Sequence, residues 1–150
     1  MMTPVRVKWM LDGLCLLAAL AAGTAWATEQ GPELAIKGYD TVAYFKFGRA
    51  VKGSESYTFR WRDKTWQFSS GEHRDLFAAD PLQYAPQYDG YCAWALTESR
   101  LAITDPEVWK IVDGKLYLNC SQAAYEKWSR DIPGHIRKAD AIWKEKFEKK

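Results

Sequence analysis

The chain has 150 residues, with 21 Lys and Arg against 19 Asp and Glu, and it is rich in Trp and Tyr (8 each) with only 3 Cys. Charge this evenly balanced and unclustered excludes nucleic acid as a partner, because phosphate binding needs concentrated positive charge. The length sets one domain around one core, and the aromatic residues supply the large apolar surfaces to fill it.

At the N-terminus, Arg6 and Lys8 precede an apolar run from about Leu14 to Ala22, and Ala25-Trp26-Ala27 places small residues at the two positions a signal peptidase reads. Residues 1–27 therefore read as a secretory signal cut after Ala27, which sends the mature chain to the periplasm or outside the cell. The run is about ten residues where a bilayer span needs roughly 20, so no permanent membrane span is expected. Cleavage removes Cys15 and leaves Cys92 and Cys120, too far apart in sequence for a CxxC motif. In an oxidising compartment such a pair invites a disulfide, which contributes on the order of 3 to 4 kcal/mol where geometry allows it.

Residues 28–34, with Gly31-Pro32, read as a flexible lead-in, and residues 35–147 as the folded domain. Gly38-Tyr39-Asp40 is a turn, and the apolar run Val42 to Phe45 is short enough to be strand or buried helix. Tyr57, Phe59 and Trp61 alternate with Thr58 and Arg60, and Trp66 and Phe68 return on one face after Arg62-Asp63-Lys64, which predicts an antiparallel hairpin with an aromatic face. Ser69 and Glu72 stand at capping-box spacing, so a helix is expected from about Ser70 until Asp80-Pro81 stops it. Pro86 and Asp89-Gly90 break the chain, and Tyr91 to Thr97 reads as a second short helix. Asp113-Gly114 between Trp109–Val112 and Lys115–Leu118 is the strongest local hairpin signal, because both turn positions need positive φ. Ser121 caps a helix through Trp128, Ile132-Pro133-Gly134 breaks it, and a last amphipathic helix runs from about His135 to Phe147. The order of elements describes an α+β fold: a small single domain of antiparallel β-hairpins packed with short helices.

Cys92 is the sharpest chemical candidate. It follows Gly90 at a helix start, where unpaired N–H groups and the helix dipole favour a thiolate, which suits metal ligation or nucleophilic attack. The plainer reading makes it a small buried side chain beside Trp94 and Ala95, or half of a disulfide with Cys120. His73 lies in the first turn of the helix after Phe68 and joins Cys92 only if the two short helices linked through Pro81 and Pro86 fold back on each other. A Cys and His pair suits copper or zinc, with Cys120, His135 or an Asp or Glu to complete the site. His135 is expected to cap or solvate the last helix. For catalysis there is no serine elbow, no HExxH and no phosphate-cradling glycine loop, and Glu72, Asp75 and Asp80 are accounted for by capping.

Several stretches together carry a resemblance: Gly38-Tyr39-Asp40-Thr41-Val42-Ala43-Tyr44-Phe45, Phe68-Ser69-Ser70 to His73-Arg74-Asp75-Leu76-Phe77, Asp80-Pro81 to Tyr88, Gly90-Tyr91-Cys92-Ala93-Trp94-Ala95, and Trp109 to Asn119. Over nearly the whole mature length they resemble the exported branch of the YHS domain proteins. YHS domains and similar small cysteine-rich domains are associated with heavy-metal handling, so the resemblance implies a transition-metal module of copper type. The chain departs from metal-binding members in carrying Val42-Ala43-Tyr44, Ser69 and His73 where those members have cysteines, while Cys92 belongs to the Gly-Tyr-Cys-Ala pattern of the exported branch. Three readings follow: an exported metal-binding module with Cys92, His73 and Cys120 as ligands, a non-catalytic structural or partner-binding domain, or a thiol-dependent enzyme with Cys92 as nucleophile and His73 as base. In the second, Cys92 is buried or bonded to Cys120, and Trp61, Trp66, Tyr88, Tyr91 and Trp94 form core and contact surface.

Overall fold

The computed structural model describes residues 33–148. The expected signal peptide and most of the lead-in lie outside the described residues. The last two residues of the lead-in, Glu33 and Leu34, form a short strand, β1, parallel to the returning strand of the first hairpin.

Beyond that strand the chain runs through one sequence of elements twice. In the first round, Ile36, Lys37 and Gly38 form a left-handed turn (φ 38°, 54° and 78°), and Asp40 caps helix α1 (Thr41–Phe47). The apolar run whose state periodicity left open is therefore helical, because the Asp40 carboxylate accepts the Val42 and Ala43 N–H groups that no helical carbonyl reaches. Strands β2 (Ser54–Trp61) and β3 (Lys64–Phe68) then form the expected hairpin, with a bulge between Ser54 and Thr58. The bulge turns Tyr57 outward, so Phe59 and Trp61 alone carry the apolar face of β2. Helix α2 (Gly71–Ala79) is capped by Ser70, whose hydroxyl accepts the His73 N–H, and not by the expected Ser69, whose hydroxyl is taken by Asp40. Asp80 caps the one-turn helix α3 (Pro81–Tyr84).

In the second round, Tyr88, Asp89 and Gly90 repeat the left-handed turn (φ 60°, 53° and 85°), and Cys92 stands at the N-cap of α4 (Ala93–Thr97). Strands β4 (Asp105–Val112) and β5 (Lys115–Asn119) pair through the Asp113-Gly114 turn, with a bulge between Asp105 and Trp109. Ser121 caps α5 (Gln122–Ser129), and Asp131 caps α6 (Ile132–Ile142), which runs on into a wider turn at Trp143–Phe147. Pro133 lies in the first turn of α6, where its missing N–H is no loss, so the expected break is a helix start.

The result is a mixed α+β domain of hairpins and short helices. Strand β5 ties the two rounds together, because both of its faces are buried. Leu116 and Leu118 pack into the core formed by Val42, Tyr44, Trp66, Phe68 and Phe77, and Tyr117 packs with Tyr88, Leu96, Trp128 and Ala139. Phe77 is the hub of the first core, with ring centroids of Trp66, Phe68 and Trp61 at 4.9, 5.2 and 5.7 Å. Full burial of such a side chain contributes about 2 to 3 kcal/mol. Among the described residues, no helix is long and apolar enough to cross a membrane.

Candidate thiol and metal site

Each round places one chemistry-bearing side chain at the N-cap of its first helix, under the end of its hairpin. In the first round that residue is Asp40, fully buried. Its Oδ1 accepts the N–H groups of Val42 (2.9 Å) and Ala43 (3.2 Å). Its Oδ2 accepts the Ser69 N–H (2.8 Å), the Ser69 hydroxyl (2.6 Å) and the His73 ring Nδ1–H (2.6 Å). A buried carboxylate is tolerated only when its lone pairs are used, and here five donors use them. His73 is itself 5% exposed and lies against Phe47, ring centroids 5.0 Å apart. Sequence reasoning read Asp40 as a turn residue; its one legible signal was the spacing Asp40 to Ala43, which is that of an N-cap and its third residue.

In the second round the residue is Cys92, fully buried among Ala95, Ala102, Ala124 and Trp94. Its Sγ accepts the Cys120 N–H at 3.1 Å and lies 3.7 Å from Asn119 Oδ1, which also accepts the Trp94 N–H at 3.1 Å. Cys120 is half-buried at the end of β5, and both thiols are unbonded. Burial pushes the Cys92 thiol up to about 11, and hydrogen bonding to the Cys120 thiol adds to the rise, while the Ala95 and Cys120 backbone N–H groups pull the other way. The helix start thus acts as expected on the sulfur but is outweighed by desolvation, so Cys92 is a protonated thiol at neutral pH and not a standing thiolate.

The expected ligand set divides accordingly. Cys92 and Cys120 come together from the N-cap of α4 and the end of β5. His73 is held by Asp40 and Ser69, and none of its partners is a partner of Cys92. His135 does not cap the last helix: it is half-buried, its Nδ1 is 2.7 Å from the Trp128 carbonyl and its ring stands edge-on to Trp94 at 5.1 Å. Among the described residues, no group of three or more His, Cys, Asp and Glu side chains is placed to hold a metal ion. A cleft of about 360 Å³ opens elsewhere, beside Trp61, Arg62, Tyr88, Asp89 and Trp143, and neither cysteine nor His73 lines it.

Asn119 carries no signal in the sequence, because it ends a strand in a run of ordinary strand residues. It is fully buried, and its Nδ2 has no partner. The aromatic residues assigned to core and contact surface separate as well: Trp66 and Tyr88 are core, while Trp61, Tyr91 and Trp94 are half-buried. Comparison with known proteins found no matching family model, no matching curated protein and no matching solved structure.

Proposed function

We propose that the mature chain is an exported, YHS-like binding module without catalytic activity, and that its Cys92 and Cys120 thiols take one Cu(I) ion. The observation that carries this reading is the meeting of the two sulfur-bearing residues, with the Cys120 N–H 3.1 Å from Cys92 Sγ. Soft thiolate ligands select Cu(I), and two of them make a chemically complete set for it, whereas zinc needs four. Copper is therefore preferred over zinc, and His73, committed to Asp40, stands outside the ligand set. Binding displaces the proton of each thiol, forms two Cu–S bonds and releases two protons to solvent, so uptake strengthens as pH rises.

A second reading is favoured by the same adjacency together with the full burial of Cys92: a structural or partner-binding domain closed by a Cys92–Cys120 disulfide. Intact mass without reductant separates the two, since the disulfide gives a deficit of about 2 Da and leaves no thiol for an ion. Anaerobic titration of the reduced chain against a chromophoric Cu(I) chelator tests the first. The expected result is one ion per chain, lost in Cys92→Ser and in Cys120→Ser. Uptake that survives Cys92→Ser removes the assigned site.

A further inference from the structure

We infer that residues 36–83 and 88–134 are two copies of one structural unit, and that the pocket around Cys92 is the counterpart of the cradle that the Asp40 carboxylate fills, able to take the same set of partners. The correspondence extends to individual hydrogen bonds. The Tyr39 N–H donates to the Ile36 carbonyl at 3.1 Å, and the Tyr91 N–H to the Tyr88 carbonyl at 3.0 Å. The Asp40 N–H donates to the Val51 carbonyl at 2.8 Å, and the Cys92 N–H to the Ala102 carbonyl at 3.0 Å. The Ser70 hydroxyl accepts from the His73 N–H at 3.2 Å, and the Ser121 hydroxyl from the Ala124 N–H at 3.1 Å. Asp80 accepts from the Gln83 N–H and Asp131 from the Gly134 N–H. Both hairpins carry a bulge at the same place, and both turn through two residues of positive φ, Arg62-Asp63 and Asp113-Gly114. Phe77 and Trp128, fully buried, occupy one position in the two helices that follow.

Under this alignment Asp40, Ser69 and His73 correspond to Cys92, Cys120 and Ala124. The first cradle gives its N-cap side chain the Ser69 N–H, and the second gives it the Cys120 N–H. The first has every inward donor satisfied by the carboxylate. The second holds its thiol with that one N–H and turns the Asn119 Oδ1 toward it at 3.7 Å, an acceptor where the first cradle has donors. A carboxylate in the place of the thiol therefore needs the hydroxyl and imidazole donors that Ser69 and His73 supply in the first copy. The first copy is thereby closed on its own carboxylate, and the second lacks the donors that would hold one.

Transplanting the first cradle into the second tests the equivalence without any metal. Cys92→Asp buries a carboxylate with no imidazole beside it, and the triple variant Cys92→Asp, Cys120→Ser, Ala124→His rebuilds the full set of partners. The expected result is that the triple variant is folded and melts at least about 5 °C above the single one, or is rescued where the single variant does not fold. A triple variant that melts no higher than the single one, or that fails to fold, overturns the inference. Copper uptake by the unsubstituted chain is a separate measurement, so either proposal can fail while the other stands.

Discussion

The Asp40 and Cys92 cradles sit at the same point of two successive rounds of one architecture, and they are filled in opposite ways. Asp40 is surrounded by five donors that fix it and fix His73 against it. Cys92 is surrounded by alanine side chains, one close N–H and the Asn119 Oδ1 at 3.7 Å. Network completeness is what separates a structural polar group from an available one. A fully paired buried carboxylate rigidifies its surroundings and offers nothing to a ligand, whereas a thiol held by few bonds costs little to deprotonate once an ion compensates the charge.

The largest effect expected from breaking this contrast is at Asp40. Asp40→Ala strands the buried N–H groups of Val42, Ala43 and Ser69 and unties His73, which costs about 3 to 5 kcal/mol in chemical denaturation. The two aromatic hubs come next and probe the equivalence of the rounds: Phe77→Ala and Trp128→Ala each lose about 3 to 5 kcal/mol through burial and cavity terms. Cys92→Ala is milder, about 1 to 2 kcal/mol, because it removes one buried sulfur and one weak acceptor.

Alkaline pH sharpens the comparison at the thiol alone. The folded pKa of Cys92 is raised to about 11, so its contribution is fully present below the ordinary thiol pKa of about 8.5 and is lost as pH climbs from there through 11. Unfolding free energies measured at pH 8 and pH 10.5 are expected to fall more in the unsubstituted chain than in Cys92→Ala, by up to about 2 kcal/mol. Tyr117, which burial pushes up to about 12, and the still higher Tyr44 and Tyr88 contribute equally to both proteins and cancel from that difference. The smallest effect is in the turns. Asp63 holds φ 60° where the second hairpin has Gly114 at 74°, so Asp63→Gly is expected to stabilise by a few tenths of a kcal/mol up to about 1, read as a small rise in melting temperature.

Much of the fold could be read from local chemistry. The aromatic pair Phe59 and Trp61, the Asp113-Gly114 turn and the Ser121 cap each carry their structural consequence within a few residues, and each hairpin or helix formed where that chemistry placed it. The misreadings lie where one side chain is claimed from far along the chain. Ser69 satisfies every local rule for a helix cap, yet its hydroxyl goes to Asp40, and Ser70 caps in its stead. The candidate site was legible in its sulfurs and not in its partners. The position of Cys92 at a helix start is a local fact, but its nearness to Cys120 and Asn119 and the loss of His73 to Asp40 are set by how β3 and β5 close over α1 and α4. The repetition itself was hidden because few identities survive between the copies: Gly38-Tyr39 against Gly90-Tyr91 is a short match, and the equivalence rests on backbone turns and capping bonds.

Copper-edge X-ray absorption of the anaerobically loaded chain puts the account to its most direct test, since it reports which atoms surround the ion. A first shell of two sulfur atoms and no nitrogen is the predicted result, with Cys92 and Cys120 as the ligands and His73 still bound to Asp40. A shell containing imidazole nitrogen, or one that persists in Cys92→Ser, contradicts it.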